Sequence, residues 1–285
     1  MTLSDRAAPL VSVVVPTRNR HRSLAHCLER VAPGAQTFDP AKYEVIVTDD
    51  GDAAATRPLL ETQFPWARLV TGPGRGPASN RNAGAQVARG EWIVFTDDDT
   101  LPDAGWLAAI VNAIDGVDVV EGRTTCREGL QSPLEHAPVN ETGGSWWSCN
   151  LAVKRDAFTR IGGFDERFRV AHMEDADFRE RARRQGLIAR FAPDAVVDHP
   201  PRRLPWGGAL AESHYFEVLF RTIHETPVSL TTMLRRVTAA RVRAVIARPA
   251  LADGVSAAGS WLVEVVHIVT HWNAWRATAA QTALR

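Results

Sequence analysis

Three consecutive carboxylates, Asp97-Asp98-Asp99, follow the short run Trp92-Ile93-Val94-Phe95-Thr96. A run this short, aromatic and β-branched reads as a buried strand. Three acids at its end repel one another in a low-dielectric setting and require a neutralising cation. A hard divalent ion with oxygen ligands is one answer, and such an ion also grips phosphates. The plainer alternative is a helix N-cap ahead of Pro102, for which one Asp would suffice. Other polar clusters lie at Thr17-Arg18-Asn19, Asp49-Asp50-Gly51, Glu174-Asp175-Ala176-Asp177 and Asp198-His199-Pro200.

The elements that must position these groups alternate. Strand patterns at residues 10–15, 43–48, 67–71 and 91–96 are separated by helical patterns at 23–31, 53–63 and 78–88. Such alternation predicts a parallel sheet with helices on both faces. Ligands of such sheets bind beyond the carboxyl ends of the strands, where the polar clusters fall. The second half predicts a helix at 106–114, a strand at 117–123 and a loop at 128–145. A strand at 146–153, a helix at 155–161 and a helix at 174–185 closed by Gly186 follow. Short strands at 187–191 and 195–197 lead into His199.

Composition sets ordinary bounds. A chain of 285 residues with 45% hydrophobic content buries a large core, and its zero net charge gives no reason to expect nucleic acid as partner. Lys42 and Lys154 are the only lysines, so nearly every cation is Arg. Cys27, Cys126 and Cys149 have no metal-ligand spacing and fit reduced thiols in a cytoplasmic protein. Residues 10–15 are too short for a signal-peptide core.

In chain order, the segments Val11 to Asn19, Glu44 to Gly51, Gly76 to Gly84, Trp92 to Asp99, Cys149 to Arg155, Gly162 to Asp165 and Glu174 to Asp177 resemble the family-2 glycosyltransferases of GT-A fold. The resemblance covers about residues 10–200 and implies an α/β, mostly parallel nucleotide-binding sheet flanked by helices. It implies a GT-A domain over 1–226, with a nucleotide-binding half at 1–100 and an acceptor half with its lid at 101–226. A helical extension follows at 227–285. By the same resemblance Pro16, Thr17 and Arg18 line the base pocket, Asp50 pairs with the base edge, and Arg81 lies near ribose and phosphates. Asp97 and Asp99 match a D-x-D pattern, with Asp97 and Asp98 on the donor side and Asp99 as metal ligand. His199 is the match for a late histidine ligand, and an imidazole favours manganese over magnesium. Asp175 matches the general base, which gives inversion, with Glu174 and Asp177 as competing candidates; Glu174 is otherwise placed on the acceptor side, and Asp177 falls on a different helix face. The donor is a nucleotide-diphosphate sugar, most often of uridine.

Trp146 and Trp147 offer aromatic faces to an acceptor sugar, with core packing the alternative for at least one. Arg202 and Arg203, in the Pro- and Gly-containing stretch 200–208, suggest a lid over the diphosphate. No Gln-x-x-Arg-Trp pattern follows the base, so one transfer per encounter is expected. In the tail, 233–247 is basic and amphipathic, and 261–275 is mostly apolar with a polar stripe of Glu264, His267 and His271. That tail packs on the domain or on a partner. A second reading lays it on the inner membrane face, toward a lipid-linked rather than a carbohydrate or small-molecule acceptor. Two rival functions remain open to sequence: a non-catalytic nucleotide-sugar-binding or scaffold protein, and a nucleotidyltransferase. The latter usually needs a Gly-rich, Lys- or Arg-bearing loop after the first strand, which Pro16-Thr17-Arg18-Asn19 is not.

Overall fold

The computed structural model describes residues 8–248 and 251–284. Its elements run β1 (Val11–Thr17), α1 (His21–Val31), β2 (Tyr43–Asp49), α2 (Ala53–Gln63), β3 (Ala67–Thr71), α3 (Pro77–Val87), β4 (Trp92–Phe95), β5 (Leu101–Pro102), α4 (Trp106–Asn112), β6 (Val119–Thr125) and β7 (Glu135–His136). They continue with β8 (Leu151–Lys154), α5 (Arg155–Ile161), α6 (Glu174–Arg184), β9 (Ala189–Asp198), β10 (Arg202–Arg203), α7 (Gly208–Ala211), α8 (Ser213–Ile223), α9 (Leu230–Ala247) and α10 (Leu251–Ala283). The chain divides into two compact units. The first joins the residues up to Arg127 with Pro138–Pro200, and the second joins Glu128–Ala137 with the residues from Pro201 onward.

The first unit is built on one sheet of strand order β3-β2-β1-β4-β8-β6-β9-β5. β3, β2, β1 and β4 are mutually parallel, β8 is antiparallel to β4 and β6, and β9 is parallel to β6. One edge of the sheet therefore collects the carboxyl ends of β1, β2, β4, β6 and β9 and the start of β8.

The period-two alternation of β1 decides which face each side chain serves. Val11, Val13 and Val15 join Leu24, Leu28, Trp106 and Ile110 in a core on one side of the sheet. Val14 joins Ile46, Phe95, Ala78, Phe158 and Phe178 on the other. Gly84 of α3 lets that helix approach β1, since a Cβ there would lie 2.5 Å from Val14 Cγ1.

Three local expectations are corrected. Pro102 does not start a helix: Leu101–Pro102 pairs with β9 at the sheet's edge, where a residue lacking an N–H is tolerated, and α4 starts at Trp106. Trp146 and Trp147 are not in a strand, because Trp146 has φ 57° and Ser148–Asn150 form a 3-10 turn before β8. The two short strands at 187–191 and 195–197 are one strand, β9, whose register against β6 shifts between Gly122 and Arg123 around Pro193.

In the second unit β7 and β10 form a two-stranded ribbon, and α7 to α10 supply the rest. A buried polar group organises it: Glu264 of α10 accepts from His214 of α8 at 2.8 Å and from Arg241 of α9 at 3.3 Å. The polar stripe expected on the tail is thus partly a buried network. Among the described residues no helix is long and apolar enough to cross a membrane.

Candidate active site

The carboxyl edge of the sheet in the first unit brings together Asp97, Asp98 and Asp99 beyond β4, Arg20 after β1, Arg81 on α3, Glu174 and Asp175 at the start of α6, and His199 after β9. The three aspartates diverge. Asp98 is fully buried, accepting from the Thr17 hydroxyl at 2.6 Å and pairing with Arg20 at 2.6 Å. Burial, reinforced by Asp99 and Asp97, pushes its pKa up to about 7 against the opposing Arg20 and Thr17. It ties the end of β1 to the end of β4.

Asp97 and Asp99 turn outward. Ligand atoms of Asp97, Asp99 and His199 all lie within 4.8 Å of one another. The imidazole is 1% exposed, and its Nδ1 lies 3.0 Å from the Pro200 carbonyl. A carbonyl only accepts, so Nδ1 carries a proton and Nε2 is the ring nitrogen left to meet a ligand. That Nε2 makes no hydrogen bond and faces Asp99 Oδ1 at 3.5 Å. Two electron-rich atoms facing each other out of water suit a cation between them. The second carboxylate oxygen of Asp99 is held by Arg20 at 2.7 Å. Two carboxylates and an imidazole with the tautomer fixed are therefore a fitting donor set for a divalent ion.

Arg81 is the central cation. It is 3% exposed, donates to Asp97 at 2.7 Å and Glu174 at 3.2 Å, and lies 5.8 Å from the centre of the Phe164 ring. Burial pulls its pKa down, but Asp97, Asp175 and Glu174 outweigh that and raise it above the ordinary arginine value. Glu174 is 3% exposed and raised above the ordinary carboxylate value by burial and by Asp175. Its carboxylate is engaged with Arg81.

Asp175 differs from its neighbour. The N–H and hydroxyl of Ser148 help to hold its pKa down, and its Oδ1 is sealed from solvent without a hydrogen-bond partner. Burial lifts its pKa, with Arg81 and Ser148 holding it back. An oriented carboxylate oxygen with no proton donor is the geometry a general base needs. Asp177, two residues on, points elsewhere and pairs with Arg181 at 2.7 Å.

The base-pocket residues lie at the same edge. Pro16 and Thr17 are buried at the end of β1 and Arg18 is exposed. Asp50 accepts the backbone N–H of Gly74 at 2.6 Å and of Gly76 at 2.7 Å, so its carboxylate already shapes the loop 72–76. Asn80 ties the ends of β1 and β2 together by donating to the carbonyls of Thr17 and Thr48. Trp146 is 4% exposed in the aromatic core, so it has no free face for a sugar, whereas Trp147 is half-buried. Arg202 and Arg203 are exposed on β10 of the second unit, paired with His136 and Glu135.

Arg20, Glu121 and Ser148 were not singled out from sequence. Glu121 carried a signal: an acid inside the apolar strand pattern 117–123 must find buried partners.

Comparison with known proteins bears on the fold and the family. The sequence model of glycosyl transferase family 2 matches residues 12–137. Glycosyltransferase AglE of Haloferax volcanii is 29% identical over 220 residues, covering 71% of this chain and 70% of that protein. Pre-mycofactocin glycosyltransferase of Mycobacterium tuberculosis is 30% identical over 215 residues, covering 67% of this chain but 43% of that protein. Among solved structures, the mannosyltransferase PcManGT from Pyrobaculum calidifontis, in complex with GDP-Man and Mn2+, aligns with TM-score 0.52 and 21% identity, covering 98% of this chain and 81% of that one. TarS 1-349 of S. aureus in complex with UDP-GlcNAc aligns with TM-score 0.57 and 15% identity, covering 96% of this chain and 90% of that one. These likenesses show the GT-A fold. With the ordered motifs, the family model and these relatives support a family-2 glycosyltransferase.

Proposed function

We propose that the protein moves a sugar from a nucleotide-diphosphate donor to an acceptor hydroxyl with inversion at the anomeric carbon. The observation that carries this reading is the juxtaposition of the Asp97–Asp99–His199 donor set with the unpaired Oδ1 of Asp175, bridged by Arg81. Asp97, Asp99 and His199 would hold a manganese or magnesium ion, which when bound neutralises charge on the departing diphosphate. Arg81 holds Asp97 and Glu174 in place and keeps positive charge beside the phosphate site. Asp175 takes the acceptor's proton as the hydroxyl oxygen bonds to the anomeric carbon and the bond to the diphosphate breaks. One carboxylate base opposite the leaving group gives inversion. Arg18 and the loop 72–76, shaped by Asp50, supply the base site. The mannosyltransferase neighbour's GDP-Man and Mn2+ and the TarS neighbour's UDP-GlcNAc support a nucleotide sugar as donor.

The acceptor side has one observation in favour of a lipid surface. Val255, Leu262, Val266 and Val269 form an exposed stripe on α10, and Val242 and Ile246 are exposed on α9 beside the exposed Arg243. Apolar residues next to arginine suit peripheral contact with an anionic membrane. Cosedimentation with anionic vesicles, lost in Leu262→Asp, would support this; no sedimentation removes it.

The deciding experiment measures binding and hydrolysis across UDP-, GDP- and dTDP-sugars, with manganese or with chelator. Wild type is compared with Asp99→Ala, His199→Ala and Asp175→Asn. Metal-dependent binding of one nucleotide, lost in Asp99→Ala and kept without turnover in Asp175→Asn, is the expected pattern. No nucleotide binding under either condition would defeat the donor-site reading. Binding without turnover in the wild type toward every acceptor would favour the non-catalytic alternative.

A further inference from the structure

Glu121 sits on β6, 3% exposed, and its carboxylate is satisfied by one stretch of chain. Oε1 accepts from Asn140 Nδ2 at 2.7 Å, from Ser145 N at 2.8 Å and from Trp146 N at 2.5 Å. Oε2 accepts from Gly144 N at 2.6 Å. Successive backbone N–H groups converging on one anion form a nest, here closed around an internal carboxylate. Its formation requires left-handed backbone at Gly143 (φ 81°), Gly144 (φ 95°) and Trp146 (φ 57°). For a bulky residue such as Trp146 that conformation is an outlier, so something must impose it. The three amides aimed at Glu121 do.

The opposite side of the same loop is gripped by α6. Arg179, one turn after Asp175, donates to the Gly144 carbonyl at 2.6 Å, and Arg183 lies 5.9 Å from the centre of the Trp146 ring. The loop's amides thus face a carboxylate on β6 and its carbonyls face a guanidinium on α6. Two residues beyond Trp146 lies Ser148, whose N–H and hydroxyl help to hold the pKa of Asp175 down. We infer that Glu121 is a positioning residue: by gathering residues 140–146 it seats the loop carbonyl that Arg179 grips and so fixes the start of α6, which carries Asp175. This rests on the reading of Asp175 as base. Glu121 acts through the loop and makes no contact of its own with the reacting atoms.

Replacement by Gln is the sharpest test. It preserves shape but exchanges one acceptor oxygen for an NH2 group that points donors at donors. Wild type, Glu121→Gln and Arg179→Ala are compared by amide hydrogen exchange and by nucleotide-diphosphate release from the same UDP-, GDP- and dTDP-sugar panel, with Asp175→Asn as control. Glu121→Gln should raise exchange in both 144–148 and 174–178, leaving β1 and β2 protected. It should keep nucleotide binding within about threefold and lower turnover by about tenfold or more, as loss of a supporting hydrogen-bond partner does. If Glu121→Gln does not fold, Arg179→Ala reads the same coupling from the other side of the loop. Faster exchange confined to 140–146, with α6 and turnover at wild-type values, overturns the inference. Wild-type turnover by Asp175→Asn would overturn the base assignment instead, while the exchange data would still decide whether Glu121 couples the loop to α6.

Discussion

Arg81→Met is the perturbation that most directly tests how the acid cluster is held together. The substitution keeps an unbranched chain of similar reach against Phe164 and removes the guanidinium shared by Asp97 and Glu174. Removing one partner of a buried ion pair costs about 3–5 kcal/mol, because the other charge stays buried. Asp97 is 20% exposed and partly served by water, and Glu174 can relieve its charge by taking up a proton, so the low end applies, about 3 kcal/mol near pH 8. For a protein of this size that lowers the melting temperature by about 6–12 °C. The pH dependence has a definite sign. Without Arg81 the pKa of Glu174 rises further in the folded state, and a raised carboxylate contributes stability at low pH that is lost as pH rises. The deficit of Arg81→Met should therefore be largest near pH 8 and shrink toward about pH 5, where Glu174 is protonated. Thermal melts of wild type and variant at both pH values, in chelator, give the comparison. A deficit under about 2 °C near pH 8, or one of equal size at both pH values, would refute the central place given to Arg81.

Burial raises Asp175, so the acid limb of turnover should lie above the ordinary carboxylate value of about 4, activity falling as pH drops through it; a pH–rate profile with its midpoint at or below that value contradicts this. Asp98, at about 7 in the folded protein, favours folding below its ordinary value of 3.8 and loses that contribution as pH rises through 7, so metal-free wild type should lose stability over that window. Denaturant titrations should show a flatter dependence for Asp98→Asn. Gly76→Ala should destabilise by at least about 1–3 kcal/mol, a cost measurable by urea unfolding, since residue 76 has φ 104° and ψ 178° and an added Cβ would lie 2.2 Å from the Arg169 carbonyl oxygen.

The nucleotide-binding half is legible in sequence because its elements are local. Residues 53–63 and 67–71 read as helix and strand and are α2 and β3. Alternation along β1 separates its two faces without knowledge of its neighbours. Legibility fails where a residue's conformation is set from far away in sequence. Trp146 reads as the start of a strand because its side chain suits one, but Glu121, 25 residues earlier, draws its N–H into a left-handed turn. Asp98 reads as a ligand like its neighbours until β1 supplies Thr17, 81 residues away, and turns it inward. Glu174 and Asp175 are adjacent acids of similar type, and only the place of Arg81, which pairs with Glu174 and not with Asp175, tells them apart.

The same electrostatics links the raised carboxylates to the cation site. Asp97, Asp98, Asp99, Glu174 and Asp175 crowd one sheet edge, opposed there by the guanidiniums of Arg20 and Arg81. The acids outnumber the cations, and Asp98, Glu174 and Asp175 are all raised, burial being the largest cause in each and neighbouring acids adding to it. Each raised pKa reports burial first, and its smaller part, from neighbouring acids, reports positive charge that the surrounding protein does not supply. Protons can supply it at low pH, and a divalent ion between Asp97, Asp99 and His199 would supply it at neutral pH. Metal binding should therefore release protons, and metal affinity should fall as pH falls, because both cations answer the same deficit.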